Sequence, residues 1–189
     1  MSWTAIVPLK LGPERKSRLA SRLSQQQREA LADEIAAHVL DALKQAPSVA
    51  RVVVLAPRPF GGAEWRKDEG AGLNAELAAA RSEIAGALVV IHGDLPLVAA
   101  ADIEALLEAG SETGVAIAAD RHGAGTNAIA LSDGQPFHFA FGVDSRRLHA
   151  RGAIEIVRPG LSLDIDTTED LDAALAAGWT PSRSIKIDL

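Results

Sequence analysis

Short apolar runs set between helical stretches constrain this chain more than any other feature. Residues 52–55 read Val-Val-Val-Leu, residues 87–91 Ala-Leu-Val-Val-Ile and residues 115–119 Val-Ala-Ile-Ala-Ala. None alternates apolar with polar, so each predicts a strand covered on both faces. Over residues 24–45, Leu31, Ile35, Val39 and Leu43 recur at helical spacing, Ser24 is placed to cap the start and Pro47 ends the run. Further helices are predicted at 73–84, 100–109, 144–150 and 168–177. Further strands are predicted at 3–9, 125–131, 153–157 and 163–166. Residues 57–70, rich in Gly and Pro, read as a loop. Strands that alternate with helices in this way predict an α/β fold with a mostly parallel central sheet. In such sheets ligands sit beyond the carboxyl ends of the strands. That rule singles out the loop after Leu9, the loop after Ile91 and the segment 164–166.

The 189 residues suit one domain spanning 1–189, with 48% hydrophobic content. Aromatic residues make up 4% and Tyr is missing, so the core is expected to be aliphatic and a stacking platform for single-stranded nucleic acid is disfavoured. A net charge of -6 argues against a general nucleic-acid partner. The absence of Cys removes thiol nucleophiles, disulfides and thiolate zinc sites together. No apolar run reaches membrane-spanning length, and residues 1–10 are too quickly charged for a signal peptide. The expectation is a cytoplasmic protein with no membrane partner.

Against its overall charge, the chain gathers Lys10, Arg15, Lys16, Arg18, Arg22 and Arg28 into one early stretch. The loop 10–18 contains only Gly12 as a glycine, so it is not the P-loop with its terminal Gly-Lys-Ser/Thr. It nevertheless sets cations and free backbone N–H groups at a strand end, as a polyphosphate requires. The alternative is a solvated basic loop. In His92-Gly93-Asp94-Leu95-Pro96, Asp94 stands where a strand stops. It suits either Mg²⁺, which prefers oxygen ligands, or the cap of a turn. In Asp164-Ile165-Asp166, strand alternation would put both carboxylates on one face and Ile165 in the core. Crowded carboxylates repel unless a positive group lies beside them, and a metal is the economical answer. Thr167 to Asp170 read as an ordinary acidic helix start. Between these segments, Gly123 and Gly125 loosen the backbone, and Thr126 and Asn127 add neutral donors. Gly142 and Ser145 suit a second anion. His38 reads as a packed or surface residue, His149 is ambiguous, and the His residues show no zinc spacing.

Taken together, Val7-Pro8-Leu9-Lys10, Lys16-Ser17-Arg18-Leu19-Ala20, Gly72-Leu73-Asn74, Gly93-Asp94-Leu95-Pro96, Asp120-Arg121 with Gly125-Thr126, Phe141-Gly142 with Ser145 and His149, and Leu163-Asp164-Ile165-Asp166-Thr167 form an ordered set. In that order they resemble the guanylyltransferases of coenzyme F420 biosynthesis, which act on 2-phospho-L-lactate, phosphoenolpyruvate or a relative. The resemblance runs from residue 7 to about residue 175. It implies a Rossmann-like, GT-A-like nucleotide-diphospho-sugar transferase fold and a Mg²⁺-dependent transfer of GMP from GTP to a small phosphorylated three-carbon acid such as 2-phospho-L-lactate, phosphoenolpyruvate or 3-phosphoglycerate. Lys10, Lys16 and Arg18 would meet the GTP phosphates, with Leu9 and Gly12 in the same nucleotide-binding loop and Gly72 and Asn74 near the base or ribose. Asp94, Asp164 and Asp166 would gather the metal, and Lys10, Lys16 and Asp94 would carry catalysis. Thr126, Gly142 and Ser145 would receive the acid. A homodimer is the assembly to consider. Two other readings keep the residues and change the role: a nucleotidyltransferase for a sugar phosphate or molybdenum cofactor, and a nucleotide-binding regulatory module without turnover.

Overall fold

The structure, a computed structural model, describes residues 1–182 and 185, so the end of the 1–189 domain assignment lies outside the described residues. Its strands are β1 (Trp3–Pro8), β2 (Val49–Ala56), β3 (Glu64–Lys67), β4 (Ala87–Ile91), β5 (Val115–Ala119), β6 (Thr126–Leu131) and β7 (Ile154–Glu155). Its α-helices are α1 (Gln25–Gln45), α2 (Leu73–Glu83), α3 (Ala100–Thr113), α4 (Ser145–His149), α5 (Pro159–Ser162) and α6 (Thr168–Ala176). One seven-stranded sheet runs β3-β2-β1-β4-β6-β5-β7. It is mostly parallel: only β6 runs against its neighbours β4 and β5. None of these helices is long and apolar enough to cross a membrane.

Residue chemistry accounts for these elements. Every residue of β4 is buried, as an unbroken aliphatic run in a central strand requires. Helix α1 starts at a reciprocal cap. The Ser24 hydroxyl accepts the Gln27 N–H, and the Gln27 side chain accepts the Ser24 N–H. One face of α1 buries Leu31, Ile35, Val39 and Leu43. Each such aliphatic side chain contributes about 2 kcal/mol on full burial. A second apolar cluster fills the other sheet face around Ile6, Leu77, Val90, Ile129 and Phe139.

Two expectations are corrected. Within the predicted loop 57–70 the chain forms β3, an edge strand whose exposed pattern carries no burial signal. Residues 163–166 are not a strand but an irregular segment between α5 and α6. Ile165 is still fully buried, packed with Leu19, Leu31, Ile35 and Leu171. The side-chain alternation therefore survives, anchored by Ile165 rather than by a ladder.

Candidate active site

Sheet order brings the charged segments together. Because β1 pairs with β4 (Ile6 beside Val90), the loop after β1 lies next to the loop carrying Asp94. Because β4 pairs with β6 (Ile91 beside Ala128), the His92 N–H donates to the Asn127 carbonyl at 2.9 Å. The Ile165 N–H donates to the Asp94 carbonyl at 3.2 Å, which docks residues 164–166 against the same loop. Gly93 leaves little room for a side chain: a Cβ would fall 2.3 Å from Leu9 Cδ2 and 3.3 Å from Val7 Cγ1, so Leu9 would have to shift.

The outcome is a cluster of carboxylates. One oxygen from each of Asp94, Asp164 and Asp166 lies within 4.8 Å of the others. Lys16 Nζ bridges two of them, donating to Asp94 Oδ2 at 2.7 Å and to Asp166 Oδ1 at 3.0 Å. Lys16 takes a left-handed backbone (φ 53) to do so. Burial alone would depress the lysine and raise Asp94. Their mutual attraction reverses both, so Lys16 lies above its usual pKa and Asp94 below. Among the described residues Asp164 has no such cation. Burial, reinforced by the neighbouring Asp94 charge, pushes it up to about 6. Its partner is Asn127, whose Nδ2 donates to Asp164 Oδ1 at 3.2 Å and to the carbonyls of Leu161 and Ser162 at 3.1 and 3.3 Å.

These residues fit a hard divalent cation. The donors are all carboxylate oxygens, the set such ions prefer. Asp94 Oδ1 is buried with no hydrogen-bond partner among the described residues, and a buried orphan of this kind calls for one.

The basic loop divides its labour. Arg15 pairs with Asp33 of α1 and its carbonyl accepts from Arg28, so these two cations anchor the loop. Lys10 and Arg18 are exposed and form no ion pair among the described residues. Gly12 has φ +155, and Leu9 is buried, so Leu9 can offer a ligand its backbone only.

A second group of residues lies beside the first. Gly72 is the N-cap of α2, with φ +92. Asn74 spends part of its amide on a single residue: its Oδ1 accepts the Phe141 N–H at 2.7 Å and its Nδ2 donates to the Phe141 carbonyl at 3.0 Å. Thr126 and Ser145 are both buried, and Gly142 has φ +134. Thr126 Oγ1 is 3.0 Å from His149 Nδ1, and the Ser145 N–H donates to the Gly142 carbonyl at 3.2 Å. Phe141 joins the two groups, its ring centroid 5.1 Å from that of His92, which precedes Asp94 by two positions.

Three residues have supporting roles that the sequence did not assign to them. Asn127 holds Asp164. Glu76, buried in α2, accepts the N–H groups of Glu69 and Ala71 and so fixes the approach to Gly72. Asp170 accepts the N–H groups of Asp166 and Thr167 and pairs with Arg121. Burial opposes its ionisation, but those donors outweigh it and hold Asp170 at about 2. Each is a polar residue whose acceptor or donor count exceeds what an exposed surface would need, a property invisible without the fold.

The family described as "Guanylyl transferase CofC like" matches residues 3–181. The chain belongs to that family. Among curated relatives, the phosphoenolpyruvate guanylyltransferase of Chloroflexus aggregans is 37% identical over 193 residues, covering 90% of this chain and 96% of its own. That of Sphaerobacter thermophilus is 37% identical over 199 residues, covering 96% of this chain and 95% of its own. Solved structures agree on the fold. A Desulfovibrio desulfuricans protein assigned as a nucleotide-diphospho-sugar transferase has TM-score 0.72 at 15% identity, over 100% of this chain and 92% of that one. A CMP:2-keto-3-deoxy-manno-octonic acid synthetase complexed with CTP has TM-score 0.57 at 13% identity, over 94% and 99%. The Mycobacterium tuberculosis protein Rv0371C, complexed with manganese, has TM-score 0.52 at 21% identity, over 94% and 100%. The α/β sheet expected from the sequence is thus a nucleotide-diphospho-sugar transferase fold, and family membership makes the protein a nucleotidyltransferase.

Proposed function

We propose that this protein transfers GMP from GTP to phosphoenolpyruvate, or to a close three-carbon phospho acid such as 2-phospho-L-lactate or 3-phosphoglycerate, releasing pyrophosphate. The setting is the cytoplasm and the pathway is coenzyme F420 biosynthesis. The supporting observation is the convergence of Asp94, Asp164, Asp166 and Lys16 beside a basic loop and a second, donor-lined loop. The names of the curated relatives supply the acceptor.

The reaction forms one P–O bond and breaks another. A phosphate oxygen of the acid attacks the α-phosphorus of GTP, and the bond to the β-phosphate oxygen breaks. An ionised phosphate needs no protein base, so this chain has to bring two anions together and hold them. Lys10 and Arg18, exposed and without an ion pair among the described residues, contact the triphosphate. Lys16 carries its charge at the junction between the loop and the carboxylates. Gly142, Thr126 and Ser145 orient the acid. Asp94, Asp164 and Asp166 would hold a divalent cation, Mg²⁺ by its preference for oxygen, which supplies neutralisation of phosphate charge when bound. Removing one electrostatic contact of this kind costs about 3 kcal/mol of transition-state stabilisation, on the order of a hundredfold in rate.

Purified protein incubated with GTP, Mg²⁺ and each acid in turn tests the reading, with pyrophosphate release and product mass as readouts. Release with GTP and phosphoenolpyruvate is expected, and ATP, CTP and UTP should serve poorly. Absence of release with every phosphorylated acid would sink it.

A further inference from the structure

Asn74 and His149 stand outside the carboxylate cluster, yet both spend their side chains on one short stretch of backbone. Residues 135–141 have no regular structure, so their peptide groups have no ladder to orient them. Asn74 supplies a substitute. Its amide meets both the N–H and the C=O of Phe141, as a neighbouring strand would. His149 takes the preceding peptide, its Nε2 accepting the Ala140 N–H at 2.9 Å.

That bond sets the tautomer of His149 and, through it, the direction of the contact with Thr126. A backbone N–H can only donate, so Nε2 carries no proton and the neutral ring bears it on Nδ1. Nδ1–H then donates to Thr126 Oγ1 at 3.0 Å. With an acceptor lone pair of Thr126 filled, its own hydroxyl proton is left to donate elsewhere. The Phe141 ring meanwhile packs edge-on against His149 at 4.8 Å and lies against His92 at 5.1 Å. Residues 140 and 141 are held from α2, from α4 and from the loop after β4. The next residue is Gly142, with φ +134 and open space where a Cβ would stand.

We infer that Asn74 and His149 are positioning residues for the acceptor acid: together they fix the peptide entering Gly142 and the hydroxyl of Thr126, so that both present N–H or O–H donors to its anionic groups. The inference rests on the guanylyl transfer proposed above. It moves Asn74 from the nucleotide to the acceptor side, which steady-state kinetics separates. Displacing a reacting group by about an ångström costs on the order of a hundredfold.

The test uses the full chain with GTP, phosphoenolpyruvate and Mg²⁺, comparing wild type with Asn74→Ala, His149→Phe and His149→Gln. Circular dichroism confirms folding, and calorimetric titration of phosphoenolpyruvate gives its affinity independently of turnover. Asn74→Ala should raise KM and Kd for the acid by about ten- to a hundredfold and leave KM for GTP within about twofold. His149→Phe should do the same, and His149→Gln, which can still accept from Ala140 and donate to Thr126, should recover part of the loss. A rise in KM for GTP with the acid unaffected, or unchanged constants in folded variants, overturns the inference. Should Asn74→Ala not fold, the His149 pair decides: equal effects of Phe and Gln, or none, overturn it. Wild type that neither turns over nor binds any phosphorylated acid overturns the guanylyl-transfer reading instead, and this inference with it.

Discussion

Asp164→Asn should stabilise the metal-free protein at neutral pH while destroying its activity. Asp164 sits at about 6 in the folded chain, against an ordinary 3.8, because it is half-buried and faces Asp94 without a cation of its own among the described residues. The folded state therefore binds this proton more tightly than the unfolded one. No penalty exists below about pH 3.8. It accumulates as the pH rises through 6 and is complete by pH 7. At about 1.4 kcal/mol per pH unit the cost is about 3 kcal/mol. Asparagine keeps the shape and an acceptor oxygen for Asn127 Nδ2, and removes the charge. Thermal unfolding with a chelator present should show the variant melting about 6–12 °C higher at pH 7, at about 2–4 °C per kcal/mol for a chain of this size. At pH 4 the two proteins should coincide, since the wild-type carboxyl is then protonated in the fold. Pyrophosphate release should fall at least a hundredfold. A variant equal to or less stable than wild type at pH 7, or a gain of the same size at pH 4, would refute the electrostatic account of the cluster.

Asn127→Leu keeps the volume but strips three oxygens of a buried donor, and unfolding in urea should show a loss of about 3 kcal/mol with weaker divalent-cation binding; an unchanged midpoint would contradict the role given to Asn127. Lys16→Met leaves the three carboxylates with no counter-charge among the described residues, so stability should drop by about 3 kcal/mol without metal, and added Mg²⁺ should raise Tm more in this variant than in wild type; an equal Mg²⁺ response in both would refute it. His149 is held at about 4 by burial, with His92 and His138 acting in the same direction, so the fold keeps it neutral while the unfolded chain takes up a proton below about pH 6.5. That contribution is complete above pH 6.5 and is lost as the pH falls toward 4, about 3 kcal/mol in all. The stability gap between wild type and His149→Phe should narrow by that amount over the same range, and a constant gap would refute the assignment.

The sheet and the position of the charged loops were legible in the sequence because both are written in local patterns. An unbroken Ala-Leu-Val-Val-Ile run needs cover on both faces, and Asp94 comes soon after it. The edge strand β3 was not legible. Its Glu-Trp-Arg-Lys pattern has neither alternation nor burial, and it pairs only because β2 leaves an open edge. Asp164 and Asp166 were found by the wrong element. What fixes their shared direction is Ile165, locked into the core beneath them, together with its N–H on the Asp94 carbonyl.

The same cause explains what sequence reasoning assigned to Asn74 and left unassigned at Asn127. Both carboxamides act across the fold, on backbone carbonyls 67 and 34 positions away. An amide's side-chain type predicts only that it can donate and accept. Its partner is set by strand order: Asn127 meets Asp164 because β6 lies beside β4, and Asn74 meets Phe141 because an irregular segment returns past the start of α2. In this fold charged groups announce the chemistry locally, whereas neutral amides aim it at long range. Substitutions at Asn74 and Asn127 should therefore alter acceptor and metal geometry respectively while leaving every charge in the cleft in place.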